Sequence, residues 1–450
     1  MFKFFRSPFY NFESARILSS TSTGGCEIGE FLEAAGKVKL HDPESWHNTW
    51  HEQSVRAEGV ARDAVRSGQR HAARRAFIRA SNYARASGYM LSWSGKGDGR
   101  VLQSSERAVS LFRESMPYMD GLVKVLEIPY DHVNSDSKAP LTAYLYLPSQ
   151  SNRMSSSLTG QGQKPQRDTP VIINCNGADS TQEELYHAFV APGLEQGYAV
   201  LTFEGPGQGL MLKKHKTVMR PDFEVVTSRV LDHLEGIVTL DSSAELSSLD
   251  LNRVAIMGVS MGGYYALRAA MDTRIKACVS VDPFYGLWRL ALTRMPGWYA
   301  SLWTSGWLPE SVFNASVYAQ MAVDFPTRWE FELGMAMMGT STPGDTLRRF
   351  RDFDLDVVSD GSGGSVVDRI RCPVLVTGAS TSIYASADES TMKIFRGLSG
   401  VAEGKKEVWI PQEIGAGGLS GKIGAWSLLA QKSLEFLDKH LGVERVEIGT

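Results

Sequence analysis

The sequence predicts an α/β protein: an eight-stranded, mostly parallel sheet with a helical unit in front of it and a helical insertion near its end. Three observations predict it. Residues 42 to about 118 carry helical periodicity and no strand pattern. Beyond them, eight short runs rich in β-branched residues recur, most of them near-continuous apolar segments, as parallel strands buried on both faces require. Helical patterns separate the later runs, which is the βα alternation of a crossover-connected sheet.

Taken in order, Trp46 and Trp50 stand at i, i+4. An Ala-rich stretch runs from Val60 to Ala86 with Gly68 as a break, and a third helical pattern spans Val101 to Met116. Strands are expected at Lys124–Tyr130 and Thr142–Leu147, which alternate and read as a hairpin around a polar turn at Asn134–Ser137. The buried runs follow at Val171–Cys175, Ala199–Phe203, Arg253–Met257, Lys276–Val281, Val374–Thr377 and Lys405–Ile410. Helices are expected at Gln182–Gln196, Asp222–Leu240, Met261–Met271, Ala387–Leu398 and Ile423–His440. Two segments break the rhythm. Gln150–Pro170 reads as a polar loop, and Gly286–Phe350 is helical in pattern and holds five of the ten tryptophans. An insertion between the sixth and seventh strands sits over the carboxyl edge of the sheet, where ligands bind, so it reads as a lid closed by the Gly/Ser break at Asp360–Ser365. The division is a helical N-terminal cap over 1–120, a core over 121–285, a lid over 286–365 and the rest of the core over 366–450.

With 450 residues, 43% apolar and 22% charged, the composition excludes a disordered, collagen-like or coiled-coil chain. A net charge of −3 gives no electrostatic reason to expect nucleic acid or an anionic membrane as partner. Cys26, Cys175, Cys278 and Cys372 stand far apart without CxxC spacing and read as core thiols of a reducing compartment. No metal site and no cofactor are expected from them. No apolar run approaches the roughly 18 residues of a membrane span, and the first eight residues carry charges and a proline where a secretory signal needs an apolar core. The expectation is a cytoplasmic enzyme.

The sharpest motif is Gly-Val-Ser-Met-Gly at 258–262, directly after one expected strand and before one expected helix. A serine on a tight strand-to-helix turn needs glycine neighbours so that the backbones can approach, and the helix N-terminus behind it favours developing negative charge. Ser260 is the candidate nucleophile; an ordinary Gly/Ser turn is the bland alternative. The amide of Met261 and an amide near Ala178, in the turn Asn-Gly-Ala-Asp-Ser-Thr at 176–181, are the candidate oxyanion donors, with Gly177 beside them. Such a turn also occurs for structural reasons alone. Glu-Gly-Pro-Gly-Gln-Gly at 204–209 lacks nucleotide-loop spacing and reads as a rigid rim, from which Gln208 could touch substrate.

These segments, with Gly-Val-Ser-Met-Gly-Gly-Tyr-Tyr-Ala from 258 and Val-Asp-Pro-Phe-Tyr at 281–285, resemble the α/β hydrolases related to 2,6-dihydroxypseudooxynicotine hydrolase. Within that group the chain is most similar to fungal polyketide-pathway hydrolases, namely the heptaketide chain-shortening enzymes and the fusarin- and cytochalasan-cluster hydrolases. The resemblance runs from about Trp46 to the C-terminus. It implies an α/β-hydrolase fold and hydrolysis, release or cyclisation of a polyketide or polyketide–amino acid chain. A synthase carrier protein is a possible partner and a homodimer a possible assembly.

The departures from that pattern weigh as much. The fold needs an acid after the sixth or seventh strand and a histidine after the eighth. Where the family has Gly-x-x-Asp after the seventh strand, this chain has Gly-Ala-Ser-Thr, which puts Thr381 at the acid position. The loop after the eighth strand, Glu413 to Lys422, contains no histidine. Asp282 is an alternative acid. Lys422 could serve as base if burial lowered its pKa, or be a solvated lysine. His187, after the oxyanion turn, is the nearest histidine in sequence, or else a helix-face residue; His440 reads as a residue of the last helix. Without a Ser–His relay, an oxyanion site still leaves about 10³-fold catalysis over water. That suffices for a reaction in which an enolate is stabilised and no acyl-enzyme forms. An ordinary serine esterase with an unrecognised base, and a non-catalytic binding protein, are the competing readings.

Among lid and elbow residues, Trp298, Trp303 and Tyr264 are candidate substrate contacts, with core packing as the alternative for each. Arg56, Arg62, Arg66, Arg70, Arg74, Arg75, Arg79 and Arg85 form a basic run that reads as a solvated helix face or as a contact for a carrier protein.

Overall fold

A computed structural model describes residues 3–445 apart from 94–96, 132–136, 153–167, 242, 359–362, 383 and 385. All eight expected strands are present: β1 Leu122–Ile128, β2 Leu141–Leu147, β3 Thr169–Cys175, β4 Ala199–Phe203, β5 Leu249–Val259, β6 Ile275–Val281, β7 Val374–Thr377 and β8 Lys406–Trp409. They form one sheet in the order β1-β2-β4-β3-β5-β6-β7-β8. β1 pairs antiparallel with β2, β2 pairs antiparallel with β4, and every later pair is parallel. Every residue of β3 and β4 is buried, which is why these strands read as unbroken apolar runs. Most of the hairpin turn between β1 and β2, the middle of the polar segment 150–170 and the first half of the Gly/Ser break at 360–365 lie outside the described residues.

Five helices precede the sheet: α1 Pro8–Ser19, α2 Ile28–Lys37, α3 Pro43–Arg66, α4 Arg70–Ser87 and α5 Gly99–Ser115. Pro8 and Pro43 stand in the first turns of α1 and α3, where a missing N–H costs nothing, and Ser7, Asp42 and Asp98 cap three of the helices. Trp46 and Trp50 are buried against α4, and Trp46 Nε1 donates to the Ala86 carbonyl at 2.8 Å. Helix α1 lies ahead of the expected helical region. It is buried along nearly its whole length, including Glu13 and Arg16.

Two expected helices are interrupted. The segment 182–195 is a short α-helix, a π turn at Tyr186–Val190 and a second α-helix, and the helix after β7 begins with a π turn at Asp388–Met392. The last helix starts at Trp426 instead of Ile423, because Gly424 takes a left-handed φ of 85°. The insertion between β6 and β7 holds five helices from Leu287 to Arg349 with a small core of its own, in which Trp303 stacks on Phe313 with centroids 3.9 Å apart. It also leans on the N-terminal helices: Trp329 packs on Phe9 and donates from Nε1 to the Tyr89 carbonyl at 2.6 Å.

Candidate active site

Ser260 stands between β5 and the helix Met261–Ala269 with φ 56° and ψ −117°. A side chain held at such a backbone angle costs about 1–3 kcal/mol and persists only where its surroundings impose it. Here the glycines impose it. A Cβ on Gly262 would lie 2.2 Å from the Cys175 carbonyl oxygen, and one on Gly258 would lie 2.1 Å from that of Gly262. The elbow is therefore pressed against the end of β3, where the 176–181 turn begins. Two of the other non-glycine residues with left-handed φ, Asp282 at 47° and Lys422 at 53°, belong to the same site.

Ser260 opens into a partly open cavity of about 1020 Å³ when the part open to solvent is counted, and of about 130 Å³ when only the space for water-sized spheres is counted. Its polar lining includes Asp282, Asp179, Arg16, Ser420 and Tyr384; Phe12, Phe189, Phe284 and Trp426 supply much of the apolar wall. Among the described residues that line it there is no histidine. The Gly177 amide donates to Ser180 Oγ at 2.7 Å, which removes it from the candidate oxyanion donors. The amides of Met261 and Ala178 donate to no acceptor among the described residues, but neither residue is among those that line the cavity, and Ala178 lines a smaller pocket with Tyr89, Trp93 and Lys213.

Asp282 and Lys422 meet. Lys422 Nζ donates to Asp282 Oδ1 and to the Gly378 carbonyl, each at 2.7 Å, and lies 5.2 Å from the centre of the Trp409 ring. Asp282 also accepts from Thr377 Oγ1 at 2.7 Å and from the Gly421 amide at 2.8 Å. Burial pushes the Lys422 ammonium below its ordinary pKa, against the opposing pull of Asp282. The lysine is fully buried, not solvated, and it does not line the Ser260 cavity. Its chemistry is that of a latch, tying the loop after β8 to the end of β6. Thr381 is exposed and absent from the cavity wall; its amide donates to the Gly418 carbonyl at 2.8 Å. Ser420 is what that loop presents to the cavity, with its hydroxyl 3.1 Å from that of Ser382.

Other expectations are corrected. His187 points away from Ser260: its Nδ1 is 2.7 Å from Thr23 Oγ1, its ring fills the space over Gly25, and burial lowers its pKa to about 3. Gln208 is not a substrate contact. It is buried, accepts from the Gly205 amide at 2.9 Å and donates to the Asn176 carbonyl at 2.8 Å, joining the Gly-rich rim to the 176–181 turn. Tyr264 is buried against Phe284, Trp303 packs inside the lid, and Trp298 is 69% exposed; none lines the cavity. His440 packs on Phe436, and His132 lies outside the described residues. In the basic run, Arg56, Arg62, Arg70 and Arg74 form ion pairs with surface carboxylates, whereas Arg85 is buried against Asn82 and Glu184. No helix among the described residues is long and apolar enough to cross a membrane.

Among the cavity residues that sequence reasoning missed are Tyr384, Ser420, Phe189 and Trp426, and, farthest from any motif, Phe12 and Arg16 of α1. For α1 the only local signal was a helix start, Ser7 followed by Pro8. Nothing local shows that the helix packs against a turn some 160 positions away.

Residues 171–397 match a family model described as the alpha/beta hydrolase family. Over 450 residues, the whole of both chains, the sequence is 44% identical to an alpha/beta hydrolase of Xenoacremonium sinensis. It is 43% identical to a hydrolyase of Penicillium oxalicum over 99% of this chain and 100% of that one. The crystal structure of 2,6-dihydroxy-pseudo-oxynicotine hydrolase shares the fold, with a TM-score of 0.67 and 18% identity over 96% of this chain and 97% of that one.

Proposed function

The chain belongs to the alpha/beta hydrolase family, and from that premise we propose that it acts on a polyketide or polyketide–amino acid intermediate of fungal secondary metabolism, promoting ring closure through oxyanion stabilisation at the Ser260 elbow. The observation that carries this reading is a strained serine facing a cavity whose described lining contains no histidine. The acid that could have oriented one, Asp282, is engaged by Lys422, Thr377 and the Gly421 amide.

With no histidine among the described lining, the serine oxygen lacks the usual base to take its proton, so an acyl-enzyme forms slowly. The unengaged amides of Met261 and Ala178 keep their use. When a carbonyl-flanked C–H of the substrate loses its proton to water at the open side of the cavity, the charge moves to an enolate oxygen, and fixed donors lower the cost of that charge. The enolate carbon then attacks a carbonyl elsewhere in the same chain, the C=O π bond opens to an alkoxide as the ring closes, and the alkoxide takes the proton back from water.

The test is a synthetic β-ketoamide carrying an aldehyde within reach of its methylene, followed by mass spectrometry. Protein should accelerate ring closure, and Ser260→Ala should retain it to within about tenfold, because the amides remain. If Ser260→Ala abolishes all turnover, or the protein hydrolyses simple esters rapidly, the enzyme is an ordinary serine hydrolase.

A further inference from the structure

We propose that Arg16 of helix α1 is a positioning residue for the oxyanion turn, so that the N-terminal helix is part of the catalytic apparatus. The inference rests on the oxyanion function proposed above. Arg16 is 7% exposed and holds both carboxylates that flank the functional end of the turn. Its Nε donates to Glu184 Oε1 at 2.6 Å, its Nη2 to Glu184 Oε2 at 2.5 Å, and its Nη1 to Asp179 Oδ2 at 2.7 Å. Glu13, one turn earlier, accepts from Nη1 at 3.3 Å, and Arg85 reaches Glu184 at 3.4 Å from helix α4. The Tyr89 hydroxyl lies within hydrogen-bond reach of both Asp179 and Glu13.

Asp179 is the residue after Ala178, whose amide is a candidate oxyanion donor. Glu184 sits in the helix that follows, where Thr181 caps it. A bidentate grip on one carboxylate and a single bond to the other leave the intervening backbone little freedom to rotate. The turn is also held from its other side by Gln208, on the Asn176 carbonyl, and from within by Ser180, on the Gly177 amide. These bonds fix residues 176, 177, 179 and 184 and leave the amide of 178 unspent.

A buried cluster of this kind is costly to desolvate and is weak evidence of stabilisation by itself; a neutral packed core serves stability as well or better. Rigid placement of a donor is a use that an apolar core cannot supply. The charges are also arranged to stay fixed. Burial raises the Asp179 and Glu184 carboxyls, but Arg16 together with the Tyr89 hydroxyl at Asp179 and Arg85 at Glu184 offsets it and holds both below the ordinary range.

The experiment uses 4-nitrophenol as a probe, because its phenolate resembles an enolate oxygen and absorbs visible light. Full-length protein is titrated with the phenol below the pH at which the free phenol ionises, and the ionised fraction of bound phenol is read by absorbance. Wild type should raise that fraction, since donors favour the anion while a merely apolar cavity would suppress it. The comparison variant is Arg16→Met/Asp179→Asn/Glu184→Gln, which removes the three charges of the grip together; Arg85 and Glu13 lose their ion pairs but keep their hydrogen bonds to Asn82 and Tyr89. Compared at saturating phenol, so that any change in affinity is taken out, it should lose about tenfold to a hundredfold in the ionisation equilibrium of the bound phenol, less than deletion of a donor outright, while the unfolding midpoint shifts by only a few degrees. Asp179→Asn alone should lose a smaller part and serves if the triple variant does not fold. An unchanged ionised fraction in whichever variant folds would overturn the role of Arg16 and leave the oxyanion reading intact. Wild type that fails to ionise the bound phenol would overturn the oxyanion reading itself.

Discussion

Installing the missing pair should turn this protein into a hydrolase. Ser420 lies in the loop after β8 and lines the cavity that Ser260 faces, and a Cβ on its neighbour Gly421 would be 3.5 Å from Val259, the residue before the serine. Thr381 is bridged to Leu419 in the same loop. Thr381→Asp with Ser420→His therefore puts an imidazole on the cavity wall that Ser260 shares and an acid on the adjacent, exposed backbone. A complete relay accounts for about 10⁶-fold in turnover number, and a misplacement of about 1 Å costs about 10²-fold. With neither side chain packed for the task, the double variant should gain about 10²- to 10³-fold over wild type in p-nitrophenyl acetate hydrolysis, equivalent to about 3–4 kcal/mol of barrier. Ser420→His alone should gain far less, because an imidazole without an acid partner is left in the wrong tautomer, and Asp282 is already committed to Lys422. The assay is the initial rate at 400 nm, with Ser260→Ala added to the double variant as the control that must abolish the gain. A folded double variant with no gain, or a wild type already as fast, would refute the reasoning.

Lys422→Met should destabilise the fold by about 1–3 kcal/mol in urea unfolding, since the part-buried Asp282 carboxylate loses its cation while keeping its bonds to Thr377 and the Gly421 amide, and adding Asp282→Asn should recover part of that loss. His187, held at about pKa 3, is neutral in the fold and takes up a proton more readily when unfolded. Stability should accordingly fall as pH drops below about 6.5, by about 3 kcal/mol at pH 4, and His187→Gln should flatten that fall in urea titrations at the two pH values. Gly262→Ala should abolish phenol binding at the elbow, because its methyl group meets the Cys175 and Asn176 carbonyls at 2.2 and 2.7 Å; intact binding by calorimetry would show that the elbow tolerates displacement.

Most of the fold was legible because its signals are local. Parallel strands buried on both faces must be apolar and β-branched, so β3 to β7 announce themselves, and the elbow does so because only glycine fits at 258 and 262. The absence of a histidine after β8 was equally plain. What replaced it was not. Whether Lys422 is base, latch or solvated depends on whether Asp282, 140 positions away, lies within reach of its ammonium. Lid aromatics misled because a tryptophan reads the same whether it meets substrate, solvent or, as Trp303 does, another ring. Helix α1 was missed for a related reason. Its charged residues mimic a surface face, and only the Asp179 and Glu184 carboxylates, far along the chain, make burial of Arg16 tolerable.

The most direct measurement is rapid-quench mass spectrometry of Ser260 during reaction with p-nitrophenyl acetate. If the serine serves as part of an oxyanion site and not as an activated nucleophile, the peptide carrying it stays unmodified through the first seconds and no burst of nitrophenol appears. Stoichiometric acylation of Ser260 within that time, lost in Ser260→Ala, would contradict the account.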